Sequence, residues 1–478
     1  MNRLNIILLL IMITTGGCAT AQYTSPKVNT SNEIVRSENG EFYVHKVQPK
    51  ETLFSISKAY NVSTNRLILD NPKASEGLKI GDILLVRIGE APSLAVEEIE
   101  EVSNQQKALN PIFEKNNTTI IPSNIAHKVS LIIPADARNS TEEGQVANFI
   151  DFYQGFLLAV NDVKEMGLSL NLEVIDSKAY QNSYQIVSTG KLNSSELIVG
   201  PIFSSEIEGI LDFASEREIP VVSPMDHLAE KYINGNPFFI QLPISAANQQ
   251  RTLLRRIPYG SHITLFYEKG GRDGEMLELT KAILNEFGVT FNEFSYALLE
   301  GRTVRERLAS LLDSQRENSV VIISESEAFV SDILRNMNLI SSRNGYKVTL
   351  FGLPKWRTFE SVDIDYYHTM NLHLALQYYV DYRNEDVKRF LARYRALYGN
   401  EPTPYAFQAY DTGRYFLEKI FRYGVGFPER INEYDTSRFL QSDFRFFRQG
   451  DNSGLSNLGV RVVVYRPDYS IDLLTPLE

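Results

Sequence analysis

The sequence predicts an α/β protein of more than one domain, and three observations carry that prediction. From residue 127 to the end, apolar runs of strand length alternate with stretches of helical periodicity, the pattern of parallel sheets covered by helices. At 478 residues and 43% hydrophobic content, the chain is too long for one core and apolar enough for two or three. The third observation is local: Leu197 to Asp226, LIVGPIFSSEIEGILDFASEREIPVVSPMD, reads as one strand-helix-strand unit. Leu197, Ile198 and Val199 stop at Gly200-Pro201, and Ile219 to Val222 stop at Ser223-Pro224. Between them, Ser205 followed by Glu208 predicts a capping box for a helix carrying Ile207, Ile210, Leu211 and Ala214. Such a unit allows a right-handed crossover, and ligands of open parallel sheets bind at strand carboxyl ends.

At the amino terminus, Arg3 precedes an apolar run, Leu4 to Ile13, too short to span a bilayer and followed by small residues. Residues 1–21 therefore read as an export signal. Two processing routes are open. Thr15-Gly16-Gly17-Cys18 resembles a bacterial lipobox, which implies lipidation of Cys18; Ala19-Thr20-Ala21 satisfies the small-x-small rule for cleavage before Gln22. Either route places the mature chain in the cell envelope, with membrane contact only through a lipid anchor. Cys18 is the one cysteine, so no intramolecular disulfide or cysteine metal site can form. The six histidines lack zinc-ligand spacing, and neither metal nor cofactor is expected. A formal net charge of −11 disfavours nucleic acid as a partner.

Residues 22–40 are rich in Thr, Ser and Asn and read as a tether. Over 41–89 the pattern tightens into β-α-α-β. Tyr43, Val44 and Val47 predict a strand, and Thr52 caps a helix with Leu53, Ile56 and Ala59. Ser63 caps a second helix through Leu67 and Ile68, and Gly81-Asp82 turns into a strand from Ile83 to Ile88. The opening Tyr-x-Val, Thr52-Leu53, Asn71-Pro72 and the Leu-Lys-Ile-Gly-Asp-Ile-Leu before the last strand make this segment resemble a LysM module. The resemblance implies binding of N-acetylglucosamine-containing chains such as peptidoglycan through Lys50, Glu51, Thr52 and Leu53 on one loop and Leu69, Asn71 and Pro72 on the other. Lys50-Glu51 stands where the family carries Gly-Asp. Read singly, Thr52 and Asn71 are a cap and a turn residue. Residues 90–126, with Glu97, Glu98, Glu100 and Glu101, read as an acidic flexible linker.

The remaining 127–478 repeats strand and helix in two halves. Lys128 to Pro134 is a buried strand, and Phe149, Phe152, Tyr153, Phe156, Val160 and Val163 predict a long amphipathic helix closed by Gly167. Leu172 to Ile175 is a strand and Ala179 to Thr189 a helix. After Leu242-Pro243 the theme restarts with ITLFYEK, a helix from Glu275 to Phe287, VVIIS, a helix from Glu327 to Ile340 and VTLFG. GPIFSS, a helix and IPVVSP, then FGLPKW, then a helix pair containing Tyr410-Asp411, resemble the two-lobed type I periplasmic binding proteins of the leucine/isoleucine/valine-binding type. The resemblance implies lobes at about 127–245 plus 373–425 and 246–372 plus 426–478, three passages between lobes, a closing hairpin in GVRVVVYRPDYSIDLL, and a cleft at the hinge. Ligand-holding positions carried over from amino-acid-binding members are Ser204, Ser205, Met225, Asp226 and His227, with Trp356 lining the cleft from the second lobe. Ser205 also reads as a helix cap and Asp226 as the N-cap of His227 to Tyr232; a carboxylate at 226 would repel an amino-acid carboxylate.

No nucleophile elbow, Walker loop or His-Glu-x-x-His occurs. The expected function is noncatalytic: an envelope protein holding peptidoglycan through LysM and recognising a partner protein or cell-wall fragment through the two-lobed region. A solute receptor of an ABC transporter, for an amino acid or small amide, is the alternative, and a cell-wall hydrolase the third reading.

Overall fold

The computed structural model describes residues 28–37, 40–49, 51, 56, 59–60, 62, 67, 70–71, 80–88, 126–135, 143–300, 303–431 and 434–476. These fall into two compact units, one on each side of the acidic tract. The expected export signal with Cys18, the 90–125 tract, and Lys50, Thr52, Leu53, Leu69 and Pro72 lie outside the described residues.

In the first unit, β1 (Ile34–Ser37), β2 (Gly40–Lys46) and β3 (Ile83–Arg87) form an antiparallel sheet in the order β1-β2-β3. β2 and β3 are the expected strands. β1 is an addition, and it shortens the tether expected over 22–40. Ile34 pairs with Tyr43 and Val35 with Phe42; two β-branched residues ahead of an Asn39-Gly40 dipeptide are a hairpin signal that a compositional reading passes over. Val47, Ile56, Leu67, Leu84 and Val86 make a small core, closed by Tyr43 and Tyr60.

In the second unit, the first sheet is built from β4 (His127–Ile133), β5 (Leu170–Asp176), β6 (Leu197–Val199), β7 (Val221–Ser223) and β8 (Phe239–Gln241). The second sheet is built from β9 (His262–Glu268), β10 (Phe291–Tyr296), β11 (Asn318–Ile323), β12 (Val348–Gly352) and β13 (His373–Leu376). Within each group the pairing is parallel, and the inner strands β6, β7, β11 and β12 are buried throughout, as strands covered on both faces must be. A short pair, β14 (Ser437–Arg438) and β15 (Asp443–Phe444), follows late in the chain. Next, β16 (Phe446–Arg448) and β17 (Leu455–Asn457) return to the first sheet, β17 pairing with β8. Finally, β18 (Arg461–Tyr465) joins β13 antiparallel and forms the expected hairpin with β19 (Ile471–Leu473). The sheet orders are β16-β17-β8-β7-β6-β4-β5 and β10-β9-β11-β12-β13-β18-β19.

The helices are α1 (Glu143–Glu165), α2 (Ser183–Ser188), α3 (Glu208–Ser215), α4 (Ala246–Leu254), α5 (Gly274–Glu286), α6 (Thr303–Ser310), α7 (Glu327–Asn344), α8 (Ile364–Thr369), α9 (Glu385–Tyr398) and α10 (Pro404–Tyr423). α1 and α10 cover one face of the first sheet, and α10 adds Ala409, Phe416, Leu417 and Ile420 to the core containing Val129 and Leu131. Their crossing is close: a Cβ on Gly155 would run into the Ala406 carbonyl, and one on Gly413 would lie 2.7 Å from Ala159 Cβ.

The chain passes between the sheets three times: between β8 and α4, after β13, and between β17 and β18. The expected lobe boundaries differ in two places. β13, inside the 373–425 segment expected with lobe 1, pairs with β12 in the second sheet, whereas β16 and β17, inside 426–478, pair in the first. Strand partners 200 residues apart leave no local trace, and Leu455 opposite Ile240 is such a pair.

Candidate functional site

The carboxyl ends of β6, β7 and β8 form the lip of the first lobe, which holds five of the carried-over positions. β6 is followed by Gly200, whose φ of +96° and close approach to the Ile132 carbonyl require glycine. A 3₁₀ turn, Ser204–Glu206, then leads to α3. The expected capping box does not form. The residue before α3 is Ile207, with no side-chain cap bond, and Ser205 is exposed. Instead the Gly209 N–H donates to Ser183 Oγ of α2 at 3.1 Å, so a hydroxyl from another helix satisfies the start of α3. Gly209 marks this in the sequence, since a Cβ there would sit 2.8 Å from Tyr184 N.

Asp226 fastens the lip. Its Oδ2 accepts the Ser204 N–H at 2.7 Å, and its Oδ1 accepts the Leu228 N–H at 2.9 Å as N-cap of the 3₁₀ helix His227–Tyr232. Burial works to raise this carboxyl. The Ser204 and Leu228 amides outweigh it and, with His227, hold it below the usual carboxylate range. The Gln241 amide donates to the Asp226 carbonyl at 3.0 Å. Met225 is half-buried against the first-lobe core, and His227 is exposed. Beneath the lip, Ser223 Oγ and Gln241 Oε1 are buried without a hydrogen-bond partner among the described residues, and Ser223 and Gln241 are register partners on β7 and β8. Paired orphan acceptors of this kind suit one ordered water.

Trp356 does not line the cleft. It is fully buried, its Nε1–H donates to the Ser324 carbonyl at 2.9 Å, and it stacks on Tyr367 with ring centres 6.2 Å apart. Gly352, at the end of β12, leaves room for the indole, because a Cβ would meet Trp356 Cε3 at 2.6 Å. The exposed groups at this strand end are Lys355, paired with Glu325 at 3.1 Å, and Arg357.

Between the lobes lies a polar hinge that sequence reasoning missed apart from Asp411. The Asp411 carboxylate, on α10, accepts the Leu440, Gln441 and Ser442 N–H groups at 3.0, 2.9 and 2.9 Å. Burial pushes its carboxyl up to about 7, against the opposing pull of Arg461 and these amides. Arg461, the first residue of β18, donates to the Phe439, Leu440 and Ser442 carbonyls and to Asp443. Gln408 donates to the Pro224 carbonyl at 3.3 Å and accepts from Gln441 Nε2 at 3.1 Å, linking the lip to this hinge.

In the first unit, the two described glycan candidates serve the fold. Glu51 Oε2 lies 2.9 Å from His45 Nε2 and accepts the Gln48 N–H at 2.7 Å, with both side chains nearly solvent-free. The Asn71 amide donates to the Leu67 and Leu85 carbonyls and its Oδ1 accepts the Leu85 N–H, tying it to β3. Lys50-Glu51 in place of Gly-Asp thus supplies a carboxylate long enough to reach His45.

Two water-sized cavities, each about 20 Å³, are present in the second unit. Thr252, Arg255, Thr436, Arg445, Leu458, Gly459, Val460 and Pro476 line one; the other lies among Gln249, Gln250, Met276, Leu353 and Ala375. Neither contains a carried-over position. Among the described residues no cluster of His, Cys, Asp and Glu could hold a metal ion, and no helix is long and apolar enough to cross a membrane.

Residues 45–87 match the LysM domain. No curated protein matches the sequence. Among solved structures, the chain is similar to a protein described as a branched-chain amino acid ABC transporter from Rhodospirillum rubrum, with 14% identity over 73% of this chain and 100% of that one and a TM-score of 0.53. An ABC-type branched-chain amino acid transporter from Rhodopseudomonas palustris aligns with 12% identity over 73% and 95% of the two chains, TM-score 0.47. An ABC transporter substrate-binding protein from Desulfitobacterium hafniense in complex with Leu aligns with 13% identity over 73% and 100%, TM-score 0.42. The first of these establishes the fold: a mixed α/β, two-lobed arrangement of the type I periplasmic-binding-protein kind, beside a small LysM domain.

Proposed function

We propose that this chain is a noncatalytic cell-envelope protein. Its LysM domain binds peptidoglycan, and its two-lobed region recognises a partner protein or a cell-wall fragment. The observation that carries the reading is the state of Asp226: both carboxylate oxygens are engaged by the chain's own amides, Ser204 N–H and Leu228 N–H. A group so committed closes the lip on itself and offers a free amino acid a negative charge where its carboxylate would sit. On the LysM side, Glu51 is committed to His45 and Gln48 and Asn71 to Leu67 and Leu85, so glycan recognition falls to backbone groups and to Lys50, Thr52, Leu53, Leu69 and Pro72.

A second reading, a solute receptor of an ABC transporter, is favoured by the hinge with three crossings and by the likeness to the branched-chain amino acid ABC transporter protein of Rhodospirillum rubrum. Lipidation of Cys18 would hold the chain at a membrane under either reading. Calorimetric titration of the full chain with amino acids and with muropeptides, alongside co-sedimentation with purified peptidoglycan, separates them. Co-sedimentation with no amino-acid binding is the expected result. Micromolar binding of a free amino acid, about −8 kcal/mol, would replace this reading with the receptor.

A further inference from the structure

We infer that the turn of the β18-β19 hairpin, which carries Tyr469 and packs beside α8, is a docking surface for a partner protein, and that the segment it takes is positively charged with an apolar anchor. The inference does not depend on what the cleft holds. β18 runs antiparallel to β13, with Arg461 opposite Leu376 and Val464 opposite His373, so the turn lies at the amino end of β13, away from the strand ends that form the lip.

The turn is built around a residue in an unfavourable backbone state. Arg466 N–H donates to the Ser470 carbonyl at 2.8 Å and Tyr469 N–H to the Arg466 carbonyl at 2.9 Å, which closes the loop tightly. Tyr469 has a φ of +65°, the left-handed region that such hairpins fill with glycine or asparagine. For a bulky residue this conformation costs free energy, and closing the turn requires no aromatic ring there. Nor does the core require one, because Tyr469 is 64% exposed, with the His368 ring of α8 5.0 Å from its own. A strained, exposed tyrosine at the tip of a fastened hairpin is placed for contact with something outside the chain. α8 adds a second apolar group, Ile364, which is 53% exposed and precedes the Asp365 that stands beside the Tyr469 hydroxyl.

The charges around these two side chains select the partner. Asp365 and Asp363 lie beside the Tyr469 hydroxyl and push it up, and Asp468 precedes the ring in the turn. All three carboxylates are exposed. Two are oriented by local donors: Asp363 Oδ1 accepts the Asp365 N–H at 3.0 Å, and Asp468 Oδ1 accepts the Ser470 N–H and hydroxyl at 3.0 and 2.7 Å. Among the described residues no lysine or arginine forms an ion pair with any of the three, and the turn's own Arg466 is taken by Asp472 at 2.9 Å. Apolar side chains rimmed by unpaired carboxylates match a protein segment that sets lysine or arginine around an apolar residue. A polyanion would be repelled.

The test is selection of a random-peptide display library on the full chain, with Tyr469→Gly as the comparison. Glycine adopts a φ of +65° without strain, so that variant should fold, which circular dichroism checks. The expected yield is peptides rich in lysine or arginine beside an apolar residue. The strongest of them, titrated by fluorescence anisotropy, should bind Tyr469→Gly about tenfold more weakly or worse, and bind the parent chain less tightly as salt rises. The double variant Asp365→Asn, Asp468→Asn keeps the ring and removes two charges, and should flatten that salt dependence. Recovery of acidic or uncharged peptides, recovery of none, or equal affinity for Tyr469→Gly would overturn the inference. Co-sedimentation with peptidoglycan should be the same in parent and variant; its loss in Tyr469→Gly would also count against a protein-docking surface.

Discussion

Arg461 and Asp443 form an ion pair sealed from solvent, Nε lying 2.9 Å from Oδ1 with each side chain 1% exposed. Burying two charges is costly unless the remaining donors are satisfied. Here they are, because the other guanidinium N–H groups reach the Phe439, Leu440 and Ser442 carbonyls. Asp443→Ala leaves that guanidinium buried without its ion-pair partner, and is expected to lower the unfolding free energy by about 3–5 kcal/mol. Urea denaturation checks this, with a lower midpoint at unchanged slope as the expected outcome. A change under 1 kcal/mol, roughly the worth of a surface pair, would contradict it.

His373 gives stability a pH dependence. Burial, above all, pushes its imidazole down to about 4, with Arg466 and Arg256 adding to this against the bond to the Asn371 carbonyl. The unfolded histidine takes its proton first, near 6.5. The contribution is therefore complete above 6.5 and is lost as pH falls through about 4, up to about 3 kcal/mol in all. In His373→Gln the slope of unfolding free energy between those pH values should be smaller than in the parent chain; identical slopes would show that this residue does not titrate as described.

Ser205 and Asp226 differ although both are carried-over cleft positions. Ser205 is exposed and caps nothing, so Ser205→Ala should change stability by less than about 0.5 kcal/mol. Asp226→Ala strips the acceptor from the Ser204 and Leu228 amides and should cost about 1–3 kcal/mol. Thermal unfolding of the two variants side by side reads the contrast, and equal effects would refute the assignment.

Trp356 supplies an optical check, being the only tryptophan. Fully buried, it should emit at short wavelength, resist quenching by iodide, and shift to the red only on unfolding. Strong iodide quenching of the folded chain would return the indole to the cleft.

The strand-helix-strand unit around Leu197–Val199 and Val221–Ser223 was legible because its strands are wholly buried and therefore wholly apolar. The closing hairpin of β18 and β19 was expected from the family resemblance; β18 is wholly buried but β19, with Asp472 at its centre, is only half-buried. Ser205 misled because a 3₁₀ turn intervened and Ser183, over twenty residues upstream, took the capping role. Trp356 misled because its position after a strand does not reveal how far Gly352 lets the ring sink. The acceptors of Arg461 lie on a loop whose place depends on the whole fold, so only Asp411 of that cluster was visible, through a family pattern.

The 439–443 loop is grasped from both sides, by Asp411 of the first-lobe helix α10 and by Arg461 of the second-lobe strand β18. Any swing of one lobe against the other must therefore turn about an axis close to this fastening. The fastened end moves least, and motion grows with distance from it toward the rims. A rotation too small to disturb the Arg461 bonds would still carry the far edges of β5 and β10, the outermost strands of their sheets, through the widest arc.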